Sequence, residues 1–414
     1  MGRIKQGTPA FRRANIAFFA AGFNTFAILY CTQPLLPEFA KEFHISATTA
    51  SLALSGTTMS LAVSMLFISA LSERWGRKQL MIVSMLIASL LSILTMFSST
   101  FSSVLTFRII EGIILGGVPS IAMAYLGEEI DPGSLGVAMG LYISGNSLGA
   151  VSGRLISGVV SNYFNWHVGL GVISFISLCG SIIFWLTLPS SQNFKSHPLE
   201  AKKLLSTFTG HLKDPRLLCL YGIGFLILGS NVAMYNYVIY ELNGPPYFIS
   251  RSILSWIFLI FIVGMFSSVL MAKVAQHIGK SKALVLSLLI TMAGAAITLE
   301  PNLWIKISGL PLLTFGFFGS HSIASGWVGQ RAISNKAQAS ALYLFFYYMG
   351  SSFGGTAVGE FWSGYGWGGV VSVILAFLVL ALVFAGILIR KSAVSSNSSL
   401  AKLSIKQKRV ESHI

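Results

Sequence analysis

The sequence predicts an all-α membrane protein whose twelve transmembrane helices form two pseudo-symmetric six-helix bundles. Three observations lead there. The 414 residues are 54% hydrophobic and only 10% charged, with a mean hydropathy of +0.74, whereas soluble domains carry about a quarter charged residues. The charges are segregated, leaving windows of about twenty residues with none or one, each able to cross a hydrocarbon core of about 30 Å as a helix. A weak internal repeat also recurs at an offset near half the chain length.

Reading apolar runs between charged or Pro/Gly-rich breaks places the spans at 14–36, 49–71, 79–98, 101–126, 134–161, 167–188, 216–240, 252–275, 283–300, 303–330, 338–362 and 367–389. The first follows Arg3, Lys5, Arg12 and Arg13, as a signal peptide would. Its apolar run continues to Leu36 with no A-x-A cleavage site, so it is expected to be an uncleaved span. Lys and Arg set the orientation. With a cytoplasmic N-terminus, only Lys41, Arg251 and Lys306 lie outside, and every other loop and tail cation lies inside. Both termini are therefore expected in the cytoplasm. The net charge of +15 fits a basic tail beside anionic membrane lipid and calls for no nucleic acid. The expected divisions are an N-terminal segment 1–13, a bundle 14–188, a linker 189–215 with a short amphipathic helix near Leu199–Leu212, a second bundle 216–390 and a basic tail 391–414. Cys31, Cys179 and Cys219 sit in apolar windows at unrelated spacings and imply neither a disulfide framework nor a metal site.

The halves repeat. "SALSERWGRKQL" (69–80) matches "AKVAQHIGKSKA" (272–283), with Gly76 over Gly279. Asn24 and Tyr30 match Asn231 and Tyr237, and "GAVSGRLISG" (149–158) matches "GTAVGEFWSG" (355–364), which sets Arg154 over Glu360. Sites in such repeat proteins lie at the interface of the halves.

The ionisable residues inside the spans are the candidate site, because intramembrane charge is costly and functional by default. Gly145, Gly149 and Gly153 recur every fourth residue and form a narrow seam for close helix packing. Arg154 lies about 100° round the helix from Gly153, on a face shared with Asn146, Ala150 and Gly158, and is expected to point into a hydrated central cavity. Arg108 and Glu111 are three apart and share a face. With spans four and five as antiparallel neighbours, Glu111 is expected between Arg108 and Arg154, compensating both. Glu360 is the acid within the C-terminal spans, with His321 as its nearest ionisable companion. Tyr235 and Tyr237 with Asn231, opposite Asn24, Tyr30 and Asn146, are expected to line the cavity. The "GKS" at 279–281 is not a phosphate loop, since Val274 stands where its first glycine belongs and no strand precedes it.

These stretches resemble a known family. "S-A-L-S-E-R-W-G-R-K" resembles the G-x-L-a-D-R-x-G-R-R loop of the major facilitator superfamily, with Ser69 and Glu73 in place of glycine and aspartate. "R-I-I-E-G" (108–112) resembles its R-x-x-q-G in span four, and the glycine seam is similar to the antiporter motif of the twelve-span drug:proton antiporter branch, though Asn146 replaces that motif's proline. "YCTQPLLPEF", "YNYVIYEL" and "SGRLISG" are most similar to bacterial arabinose or multidrug efflux permeases. The resemblance implies two bundles rocking about a central site in a bacterial cytoplasmic membrane. It also implies a conformational gate at Glu73, Arg74, Gly76 and Arg77, with Glu73 meeting the N-terminus of span eleven near Ala337–Ser340, where a carboxylate interacts favourably with the helix dipole.

The resulting expectation is a secondary active transporter, a proton-coupled exporter of a small organic solute that works as a monomer. The proton is its coupling ion, and there is no other cofactor and no metal. Glu111 and Glu360 are the expected proton sites, tuned by Arg108 and Arg154. The alternatives are an importer or uniporter of an organic anion or sugar, and a non-transporting sensor, against which the 24 residues after Arg390 stand as too short an output domain. An enzyme is disfavoured because the seven histidines include no H-x-x-x-H pair.

Overall fold

A computed structural model describes residues 2–194, 201–332 and 335–411. Ten helices are long and apolar enough to cross a membrane among the described residues. Two features raise the number of spans to twelve. The helix Pro132–Tyr163 is 32 residues long but too rich in Gly and Ser to be counted by hydropathy. The last helix, Lys336–Glu411, is broken at Gly366, whose φ of 61° is non-helical, and so holds spans eleven and twelve.

Spans one to six are Pro9–Tyr30, Ala47–Trp75, Arg77–Met96, Phe101–Glu129 (with a join at Gly116), Pro132–Tyr163 and Trp166–Thr187. Spans seven to ten are Pro215–Asn243, Arg251–Ile278, Lys280–Ile297 and Leu303–Arg331. Local chemistry sets the starts. Ser46, Thr100, Asp131, Asn165, Asp214 and Asn302 each accept a backbone N–H two or three residues on, as N-caps do. Thr8 caps the first span with Pro9 behind it, five residues before the apolar run begins. That span also ends early, at Tyr30, because Pro34 and Pro37 break the ladder into a 3₁₀ turn, Gln33–Leu35, and a short helix, Leu36–Glu42. The linker carries the helix Ala201–Leu212; Leu199, where the amphipathic helix is expected to begin, lies outside the described residues.

The repeat shows in the backbone. Gly76 (φ 97°) and Gly279 (φ 86°) both turn one span directly into the next in a left-handed conformation that only glycine adopts without strain. The glycine seam is a contact surface, but with span one. A Cβ at Gly145, Gly149 or Gly153 would stand 2.4, 2.1 or 2.5 Å from the carbonyl oxygens of Phe19, Phe23 and Ala27. In the second half Gly350 and Gly354 press on Phe225 and Gly229 of span seven in the same way. This packing corrects the repeat register by one residue: Gly149 corresponds to Gly354, so Arg154 corresponds to Gly359 and not to Glu360, and Tyr30 corresponds to Asn236.

Candidate functional site

Span five, docked along span one by its glycines, turns Arg154 away from span four. The half of span four that bears Arg108 packs instead on spans two and three, with Gly112 letting the helices close until a Cβ would meet Thr57 O at 2.3 Å. The two arginines therefore occupy separate sites.

Arg108 is 1% exposed and Glu111 fully buried. The Arg108 guanidinium donates to Glu111 Oε2, to the Ile28 and Leu29 carbonyls at 2.9 and 2.8 Å, and through Nε to Ala53 O at 3.2 Å. Glu111 Oε1 has no hydrogen-bond partner. One cation thus staples spans one, two and four together and holds a carboxylate with one oxygen free.

Arg154, 3% exposed, makes no ion pair among the described residues. Its Nε donates to Gln33 Oε1 at 2.6 Å and Nη1 to the Ala150 carbonyl at 2.7 Å. Its guanidinium lies 3.8 Å from the ring centroid of Tyr30, 4.6 Å from Phe261 and 5.4 Å from Phe258. The 3₁₀ stretch Ile257–Ile260 inside span eight brings the last two rings to it. Arg154 therefore does not meet Glu111, nor an open hydrated cavity; Arg108 already holds that carboxylate and an aromatic box encloses Arg154. Gln33 was not among the residues expected here. Its only sequence signal is an amide near the end of the expected first span, set before a proline.

Gln33 relays the site to the other bundle, donating through Nε2 to Asn236 Oδ1 at 2.8 Å. Further contacts join the bundles nearby: Glu38–Arg251 at 3.4 Å, Ser51–Thr356 at 3.3 Å and Thr58–Ser352 at 2.8 Å. All lie in the outer half of the protein as the positive charges orient it. The ion pairs at the inner ends stay inside one bundle: Arg77–Glu128 at 2.7 Å in the first and Arg331–Asp214 at 3.0 Å in the second.

The other expected residues divide. Tyr235 donates to or accepts from Thr314 Oγ1 at 2.6 Å and packs 4.5 Å from Phe261, beside the Arg154 box. Tyr237 donates to Gly355 O at 2.9 Å. Asn231 is 3% exposed with its Nδ2 unpartnered, and the buried Asn146 Oδ1 is unpartnered too. Asn24 faces its own bundle, donating to Ser181 Oγ at 2.7 Å, and does not line the interface. His321 joins a tyrosine cluster, 3.1 Å from Tyr343 Oη and 4.4 Å between ring centroids from Tyr347, and not Glu360. Glu360 stands exposed near the outer end of span eleven. At the inner loop Glu73 reaches Arg77, one turn on, at 3.9 Å, and makes no described contact with the start of span eleven. Arg77 is drawn to Glu128 instead, so the loop clamps the ends of spans two to four, while Arg74 is exposed.

Residues 16–355 match the family model described as Major Facilitator Superfamily. An uncharacterized MFS-type transporter of Bacillus subtilis is 56% identical over 94% of this chain and 96% of its own length. An inner membrane transport protein of Escherichia coli is 41% identical over 92% and 91%. Among solved structures, a bacterial homolog of the human lysosomal transporter Spinster, in an inward-facing conformation, superimposes with a TM-score of 0.76 at 15% identity, over 93% of this chain and 98% of that one.

Proposed function

The chain belongs to the major facilitator superfamily, and from that premise we propose that it exports a small organic solute in exchange for protons by alternating access. It would do so as a single polypeptide in a bacterial cytoplasmic membrane, with both termini inside. One observation carries this reading: the polar contacts described between the bundles lie on the outer side, while the ion pairs at the inner ends stay within a bundle. Two bundles joined by polar side chains on one face, with the inner ion pairs kept inside each bundle, can rock between two access states.

Glu111 is the proton site in this mechanism. Ionised, it pairs with Arg108; protonated, it releases that cation to its three backbone carbonyls and loosens the joint of spans one, two and four. Glu360, exposed at the outer rim, has no such lever. The test is transport in proteoliposomes. Glu111→Gln should abolish accumulation driven by a pH gradient while leaving substrate counterflow largely intact. A Glu111→Gln protein that still concentrates solute against its gradient would sink the assignment.

A further inference from the structure

Arg154 differs from the other buried cations in the described spans, because its neighbours are neutral. Arg108 has Glu111, and Lys306, 2% exposed, has Glu241 at 2.8 Å. Removing a cation from water is repaid only by a counter-charge with good geometry. Two carbonyl-type acceptors and three ring faces supply part of that, and the charge itself stays unneutralised. The guanidinium fork carries five N–H donors, of which two hydrogen bonds to other residues use only part. A second buried donor, the Asn231 amide N–H₂, is unpartnered. It sits one turn from Tyr235, which packs on Phe261 of the same aromatic box.

We propose that this box is the substrate subsite, and that it takes the carboxylate of a small organic acid whose apolar body lies against Tyr30, Phe258 and Phe261. The proposal rests on the transport reading above and names its substrate class. Each part of the box matches one part of such a ligand. A planar guanidinium binds a carboxylate through two parallel N–H···O bonds. The rings accept an apolar body, and an unpaired donor favours a group that only accepts.

The same geometry links binding to gating. Gln33 Oε1 holds Arg154 while Gln33 Nε2 holds Asn236 across the bundle interface. A carboxylate that takes over the Arg154 N–H groups competes with Gln33 and weakens that cross-bundle bond. Occupancy of the box thus loosens the outer seal beside it, which is the order of events an exporter needs.

The experiment is thermal shift and isothermal titration on the purified wild-type protein with benzoate, hexanoate and pyruvate. Each is set against its uncharged amide, with benzylamine and chloride as controls. At least one acid should stabilise the protein and bind saturably, and its amide should bind about thirtyfold more weakly or worse, as truncating one partner of a buried charge pair does. Gln33→Glu supplies a carboxylate from the protein itself. It should raise the melting temperature of the unliganded protein and abolish acid binding, and it needs no arginine removed. Arg154→Gln should lose acid binding as well. The proposal is overturned if no acid binds the wild type, if amides bind as well as acids, if chloride reproduces the effect, or if Gln33→Glu binds the acids unchanged. Proton-driven export can fail its own test while acid binding survives, so the two failures are told apart.

Discussion

Arg108 and Arg154 are the same residue, both nearly fully buried within the first bundle, yet their surroundings differ in charge. Arg108 ends on one carboxylate and three backbone carbonyls that belong to spans one and two. Arg154 ends on an amide, one carbonyl of its own helix and three rings, two of them from the opposite bundle. A buried cation tied to its own bundle's backbone acts as a staple. One held by neutral groups at the interface of the bundles has no counter-charge of its own, and on that difference the proposed subsite rests.

The largest effect should come from unpairing the staple. Arg108→Ala or Glu111→Ala leaves an uncompensated buried charge or strips three carbonyls, and should cost about 3–5 kcal/mol. Replacing both with leucine should recover most of it. Arg154→Leu loses two hydrogen bonds and the ring contacts but also the desolvated charge, so its cost should be no more than about 1–2 kcal/mol, with transport lost. Denaturant unfolding in detergent measures all four. Equal losses at Arg108 and Arg154 would erase the distinction.

The glycine seam gives a middle-sized effect. Gly149→Ala drives a Cβ against Phe23 O, 2.1 Å away, in backbone that cannot yield cheaply, and should destabilise by about 1–3 kcal/mol. Gly140→Ala, on the same helix with nothing within 4 Å, should be neutral or stabilise by about 0.5–1 kcal/mol. If the two variants melt alike, span five does not dock on span one as described, and the placement of Arg154 fails with it.

The smallest change in stability should come at the outer ion pair, whose side chains are 30% and 15% exposed. Arg251→Gln should cost less than about 1 kcal/mol while shifting the access equilibrium. With Ser255→Cys in a background without native cysteines, an external membrane-impermeant thiol reagent should label Ser255→Cys faster once Arg251 is neutralised. Unchanged labelling would remove Glu38–Arg251 from the outer seal.

Much of this was legible in the chain. The spans and the close-packed seam follow from local rules, because hydropathy and a four-residue glycine period each act within one helix. The first span was placed late because a polar start capped by Thr8 and Pro9 carries no hydropathic signal. The gate expected at Glu73 failed differently: a carboxylate beside an arginine one turn on cannot be told from one reaching a distant helix until Glu128 is seen to hold Arg77.

The sequence alone determined that two arginines are buried in a membrane-spanning bundle, and that Arg154 faces away from the glycine seam. Helical geometry places every side chain relative to its own axis. Which helix lies on that face is a non-local matter, and the tertiary structure alone decided it. Span five docks on span one and faces span eight, so Arg154 meets Gln33 and three rings, and Glu111 is left to Arg108. The repeat register fell to the same cause, since one residue turns a helix by about 100°. Only the packing of Gly354 on Gly229 could show that Glu360 points elsewhere.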